Sequence, residues 1–207
     1  MFPSNPRHRL YLGVALLLAA VVGIYGLNLV SRKHVGEAPV AAPSASPFAV
    51  NARGQIAQFQ FHDAPKDMTL PALKDAAGAT VPPERWQGKV TLVNLWATWC
   101  PPCRAEMPEL GKLQAALGGA DFEVVTVNLD TAARQDKARE FLSAAGAGHL
   151  TFYRDDDGAM RDALSVPGLP ATLLFDRQGR ELGRLLGPAQ WASADAQSMI
   201  KAVMDSK

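Results

Sequence analysis

Both cysteines of the chain fall within four residues, in the stretch NLWATWCPPCRAEMPEL at 94–110. The residues before them, KVTLVNLWA at 89–97, form a β-branched and aromatic run of strand length, suited to a buried strand. From Pro101 the apolar period becomes that of a helix. Met107, Leu110, Leu113 and Leu117 recur at three- and four-residue spacing, and Gly118 and Gly119 end the pattern. Cys100 therefore stands where a strand runs directly into a helix. Unpaired backbone N–H groups and the positive end of the helix dipole converge there, and both favour a thiolate. Pro101 suits the first helical turn, where its missing N–H has no partner to lose. Cys103 lies nearly one turn further on, so the two sulfurs can meet as a redox couple. Two plainer readings compete. Half of a zinc site would need two further N or S ligands. No second cysteine pair exists, and His8, His34, His62 and His149 show no ligand spacing, so neither metal nor cofactor is expected. A purely structural bridge would close a very small loop and constrain little of the unfolded chain.

Around that junction the chain alternates strands and helices. MTLPALKDAAGATV (68–81) reads as a hairpin with its turn at Asp75–Gly78, and VPPERWQGK as a loop or short helical turn. FEVVTVNLD is a second buried strand, AARQDKAREFLSAAG an amphipathic helix ending at Gly146, and LTFYRD a short strand before a short helix through Met160–Leu164. SVPGLPATLLFDRQGRELGRLLG reads as loop, strand, turn at Asp176–Gly179 and strand. The last segment reads as a helix with Pro188 at its start. The order β-α-β-α-β-β-α after an N-terminal hairpin predicts an α/β domain with a mixed central sheet and helices on both faces.

Residues 10–30, LYLGVALLLAAVVGIYGLNLV, carry no charge. As a helix they reach roughly 30 Å, the thickness of a bilayer's hydrocarbon core. A cleaved signal peptide has a shorter core of about 7–15 residues and a small-residue site where Arg32, Lys33 and His34 stand here. A buried soluble helix would show a polar face. One uncleaved transmembrane helix is expected. Its flanking positive charges nearly tie, and a short N-terminus before a first span usually stays cytoplasmic. The expected organisation is a cytoplasmic N-terminus (1–9), an anchor (10–30), an Ala/Pro-rich linker (31–55) and a folded domain (56–207). Lys plus Arg number 21 against 20 Asp plus Glu, with no basic stripe, so no nucleic-acid partner is expected.

VTLVNLWATWCPPCRAEMPEL resembles the active-site segment of the thioredoxin superfamily, in particular its membrane-anchored TlpA/ResA/CcmG branch and most of all TlpA. SVPGLPATLLFDRQGRELGRLLG resembles the loop, cis-proline and hairpin that follow in that branch. The likeness covers roughly residues 56–205 and implies a thioredoxin-like fold with an added N-terminal β-hairpin. It implies that Cys100 is the attacking cysteine and Cys103 the buried resolving one. Pro170 takes the place of the cis-proline, against the disulfide, and Leu169 supplies the preceding backbone that pairs with a substrate strand. By base rate alone Pro170 reads equally as a trans turn proline, since about 5% of X–Pro bonds are cis. Trp99 walls the active-site surface, and Trp96 reads as a packing aromatic. Asn94 stands where thioredoxin itself has an acid; the branch carries asparagine there. The proton of Cys103 is then left to Glu106, one turn beyond it, because a partly buried carboxylate has a raised pKa suited to acid–base work. The plain alternative is a solvated helix glutamate.

The function implied is that of an exported dithiol reductase held on the outer face of the bacterial inner membrane, in the periplasm. It reduces oxidised client proteins through a mixed disulfide on Cys100, and a membrane electron donor recharges it. Clients in cytochrome c maturation or in metallation of cytochrome oxidase both fit. Pro101 and Pro102 offer no histidine-like cation to hold the thiolate, which leans the couple toward reduction. The alternative is a copper-delivery module of related fold. Such modules space their cysteines one residue further apart and add a distal histidine, for which His149 is the one candidate beyond the motif. A peroxidase of this fold would need a cysteine in a different loop.

Overall fold

The computed structural model describes residues 46–206. Its centre is strand β4 (Val90–Trp96), all seven residues of which are buried. Alternate side chains point to opposite faces of a strand, and here both faces are apolar. Val90, Leu92 and Trp96 join one core cluster, and Val93 and Leu95 the other. Strands β5 (Phe122–Asn128) and β6 (Thr151–Arg154) continue the sheet in parallel on one side of β4. On the other side lie β7 (Ala171–Phe175), β8 (Glu181–Leu186) and β1 (Gln60–Lys66), each antiparallel to its inner neighbour. A hairpin of β2 (Leu73–Asp75) and β3 (Thr80–Val81) caps the β6 edge, giving the order β1-β8-β7-β4-β5-β6-β2-β3. Asp75 Oδ1 closes the hairpin turn by accepting from Ala77 and Ala79 N–H, both at 2.9 Å.

Among the described residues four α-helices cover the sheet. Helix α1 (Pro101–Leu117) buries Met107, Leu110 and Leu113 completely against the first cluster. Each such side chain contributes about 1.5–3 kcal/mol relative to leaving it in water. Helices α2 (Gln135–Ala144) and α4 (Ala194–Met204) pack on the same cluster through Ala138, Leu142, Met199, Ile200 and Val203. The short α3 (Ala159–Ala163) and Trp86 cover the opposite face. The mixed sheet with helices on both faces is the architecture expected from the sequence.

Three details differ from the expectation. The C-terminal helix starts at Ala194, capped by the Ser193 hydroxyl on Ala196 N–H at 3.2 Å, and not at Pro188. The segment 188–192 forms no helix, because it lies across α1 and gives two hydrogen bonds to a buried side chain there. Strand β1 has no counterpart in the sequence pattern: it contains Pro65 and an irregularity between Phe61 and Lys66, features tolerated only at a sheet edge. Residues 46–55, which by composition read as tether, hold one 3₁₀ turn at Ala49–Asn51 and the start of a second at Gly54–Ile56, and Phe48 and Ala52 pack on the core. The apolar run 10–30 lies outside the described residues; among those described, no helix is long and apolar enough to cross a membrane.

Candidate active site

The end of β4 turns sharply into α1. Cys100 N–H donates back to the Ala97 carbonyl at 3.2 Å, and the Cys100 carbonyl accepts from Arg104 N–H at 3.1 Å. Cys100 is thus the N-cap of α1, with extended backbone, and its Sγ accepts from Cys103 N–H at 3.3 Å. The first turn holds two prolines and no acidic residue. A sulfur at this position meets backbone donors and a positive dipole end with no opposing anion in the turn, which favours the thiolate when the pair is reduced. Cys100 and Cys103 form a disulfide with Cα atoms 5.3 Å apart. Cys103 is fully buried and Cys100 is 4% exposed. Approach to the bond is therefore from the Cys100 side, beside Trp99, which at 60% is among the few exposed large apolar side chains of the described residues.

The loop before β7 lies beside the end of β4, because β7 is its antiparallel neighbour and Ala171 pairs with Leu95. The Leu169–Pro170 peptide bond is cis. Pro170 is buried, and its carbonyl accepts from Gly187 N–H at 2.8 Å, joining the β7 and β8 ends. Leu169 is half-buried and packs on the cluster that contains both cysteines. Trp96 is fully buried, with its ring centroid 5.8 Å from that of Phe141.

Glu106 is 2% exposed, so the solvated-glutamate reading does not hold. Its Oε1 accepts from Asn94 Nδ2 at 2.8 Å, and its Oε2 accepts from Ala189 N–H and Trp191 Nε1, both at 3.1 Å. Burial pushes its pKa up from 4.5 to about 7, although all three donors pull it down. A carboxyl poised there exists in both protonation states at neutral pH. It stands three residues along the helix from Cys103, on the buried face that both share. Asn94 is more than an absent acid. It projects from β4 toward α1 and bridges Glu106 to the Thr172 hydroxyl on β7 at 2.9 Å. Glu109 lies on a more open face and pairs with Lys112 at 2.7 Å. His149 Nε2 is bonded to the Gly111 carbonyl at 3.0 Å. That carbonyl lies eleven residues past Cys100, roughly 16 Å along the helix axis, too far for one copper ion to join the histidine and Cys100.

Of the residues singled out in the sequence, Cys100 and Cys103 are bonded, Glu106 is buried on the same helix face, Leu169–Pro170 is cis and Leu169 packs on their cluster, while Trp99 stands exposed beside Cys100. Sequence reading missed the partners of Glu106. Trp191 is 85 positions away and Ala189 uses only its backbone, so neither leaves a local signal.

A dithiol–disulfide pair at the N-terminus of a helix, with a cis-proline loop beside it on a four-helix mixed sheet, defines a thioredoxin-fold redox protein. The chain belongs to the redoxin family, which it matches over residues 42–200. It is 38% identical over 102 residues to the thiol:disulfide interchange protein HelX of Rhodobacter capsulatus, covering 49% of this chain and 54% of that protein. It is 34% identical over 118 residues to DsbE of Pseudomonas aeruginosa, covering 57% and 62%. The chain thus spans between half and two thirds of these curated relatives. A crystal structure provisionally named thiol:disulfide interchange protein DsbE, from Chlorobium tepidum, superposes with a TM-score of 0.60 at 30% identity, over 69% of this chain and 98% of that one. The relatives carry the HelX and DsbE names; a special nearness to TlpA rests on the motif alone.

Proposed function

We propose that this protein is a membrane-anchored thiol:disulfide oxidoreductase that works as a reductase of client proteins on the periplasmic side of the bacterial inner membrane. The observation that carries the reading is the Cys100–Cys103 pair at the α1 N-terminus with the buried Glu106 one turn behind it. In the reduced protein the Cys100 thiolate attacks one sulfur of a client disulfide, and the client's other sulfur leaves. Cys103 then gives up its proton and attacks Cys100 Sγ. The client departs as a dithiol, and this chain keeps the disulfide. Glu106 takes the Cys103 proton in this direction and returns it when the disulfide is reopened. A membrane electron donor supplies the two electrons for that reopening.

The chemistry of the HelX and DsbE relatives supports the exchange reaction. The uncharged run 10–30 supports the anchor, and the Trp-Cys-Pro-Pro-Cys likeness to the TlpA/ResA/CcmG branch supports clients in cytochrome c or cytochrome oxidase biogenesis. The test joins two measurements. Reduced protein mixed with an oxidised Cys-x-x-Cys peptide loses two thiols for every two the peptide gains, and neither Cys100→Ser nor Cys103→Ser turns over. A C-terminal reporter active only after export gives signal from full-length chain that a salt wash does not release. Turnover by either serine variant, or a reporter active only in the cytoplasm, contradicts the proposal.

A further inference from the structure

The turn that carries Cys100 is held from behind by a buried carboxylate. Asp130, just past the end of β5, is 1% exposed. Its Oδ2 accepts from Thr98 N–H at 2.9 Å and from Asn128 Nδ2 at 3.0 Å, and its Oδ1 accepts from the Thr98 hydroxyl at 3.0 Å. Its own N–H donates to Asn128 Oδ1 at 3.0 Å, and its carbonyl accepts from Gln135 Nε2 at 2.7 Å. Alongside, Leu129 N–H donates to the Trp96 carbonyl at 2.9 Å. The β4–α1 link is therefore clipped to the β5–α2 link at several points. Every group on the Asp130 carboxylate is a donor, the pattern an ionised carboxylate takes. Among the described residues no Lys, Arg or His forms an ion pair with it. The nearest charged groups in this network are Asp156, reached through Gln135 Nε2 at 3.0 Å, and Arg154, which pairs with Asp156 at 2.7 Å. On the far side, Arg104 of α1 is parked over the Phe141 ring, 5.0 Å from its centroid.

Thr98 is two residues from Cys100 within the turn closed by the Cys100 N–H to Ala97 carbonyl bond. A turn of that kind keeps its first and last Cα atoms within about 7 Å. Asp130 is 1% and Cys100 4% exposed, so a charge held on one side of this short turn and a charge formed on the other are weakly screened by solvent.

We propose that Asp130 is a positioning residue for disulfide exchange: it clamps the Trp99–Cys100 turn through Thr98, and its charge opposes the Cys100 thiolate and keeps the couple reducing. Opening the disulfide takes two electrons, and two protons if both sulfurs end as thiols; where Cys100 stays a thiolate, one proton is taken up. A stabilised thiolate therefore stabilises the reduced form and makes a couple more oxidising. Asp130 works against that outcome and offsets the helix N-terminus in front. The proposal rests on the exchange reaction put forward above.

Asp130→Asn separates charge from shape. The amide oxygen takes the place of Oδ2 and keeps the Thr98 N–H and Asn128 bonds, and the amide nitrogen donates to the Thr98 hydroxyl, which turns to accept. With the clamp kept and the charge gone, Cys100 in the reduced full-length variant titrates at lower pH, read by thiolate absorbance with alkylation mapped by mass spectrometry. The thiolate fraction at neutral pH rises about three- to tenfold, and the equilibrium with a glutathione buffer moves toward reduced protein by a similar factor. An unchanged titration and equilibrium, with only the unfolding midpoint lowered, makes Asp130 a structural residue and overturns the proposal. Thr98→Val decides if Asp130→Asn does not fold. It keeps the charge and removes one neutralising donor, so Cys100 titrates at higher pH; no movement, or movement to lower pH, overturns the proposal. Parent protein that fails to equilibrate with glutathione sinks the exchange reading and this proposal together. A parent that exchanges normally beside an unresponsive Asp130→Asn sinks this proposal alone.

Discussion

Glu106→Gln removes one titrating proton from the core and leaves the shape. Glu106 holds its proton up to about pH 7 in the folded protein, against 4.5 ordinarily. That gap corresponds to roughly 3 kcal/mol, the cost to the fold of the ionised form. Between about pH 4.5 and 7 the native state binds more protons here than the unfolded chain does. This contribution is therefore fully present below 4.5 and is lost as pH rises through about 7. The glutamine variant lacks the slope. Its amide nitrogen needs an acceptor where Asn94 Nδ2 now donates, and Asn94 Oδ1 is a buried atom with no partner. Reversal of the Asn94 amide supplies that acceptor, with the Thr172 hydroxyl turning to donate. The oxidised variant should match the parent near pH 4.5 and exceed it by up to about 3 kcal/mol at pH 8, measured by urea unfolding at several pH values. Client reduction at neutral pH should slow by about 10²-fold, the lower end of general acid–base contributions, and its pH–rate profile should lose the limb near 7. Parallel stability slopes in parent and variant, together with an unchanged pH–rate profile, would show that Glu106 does not titrate in this range and carries no proton for Cys103.

Trp191→Phe removes one donor from Glu106 Oε2, so the carboxyl pKa should rise above about 7 and the limb of the pH–rate profile should move to higher pH; a shift to lower pH contradicts the hydrogen-bond account. Glu109→Gln should leave that profile in place, because Glu109 is partly solvated and pairs with Lys112. Alkylation of the reduced protein at neutral pH should modify Cys100 before Cys103, read by peptide mass spectrometry, and the reverse order would remove the helix-terminus argument. Leu110→Ala should cost about 2–5 kcal/mol in urea unfolding, since the side chain is fully buried in the cluster beneath α1; a loss below about 1 kcal/mol would mean that the site collapses freely.

Those elements whose causes are local could be read from the chain. The strand-to-helix junction at Cys100, the apolar face of α1, the Asp75–Gly78 turn and the buried run of β4 each follow from a few adjacent residues. Pro170 was found through resemblance, since nothing in its neighbours dictates a cis bond. What stayed hidden depends on distant partners. Pro188 looks like a helix start until Ala189 and Trp191 are seen to satisfy Glu106. Glu106 itself is legible from its spacing to Cys103, but the donors that hold its buried carboxyl come from β4 and from the segment after β8, far along the chain. Asp130 follows an ordinary apolar strand, and its hold on Thr98 spans 32 positions. Strand β1 has too weak a pattern to announce itself because its pairing with β8 and the seat of Phe61 in the core supply its order.

The central claim is that Cys100 is the atom that exchanges with a client and Cys103 the one that releases it. Reduced, full-length Cys103→Ser protein, incubated with an oxidised client disulfide and then quenched with acid, should accumulate a mixed disulfide on Cys100 that mass spectrometry locates and a reducing agent reverses. Cys100→Ser under the same conditions should form none. Equal adduct on Cys103 in the Cys100→Ser variant, or no adduct in either, contradicts the account.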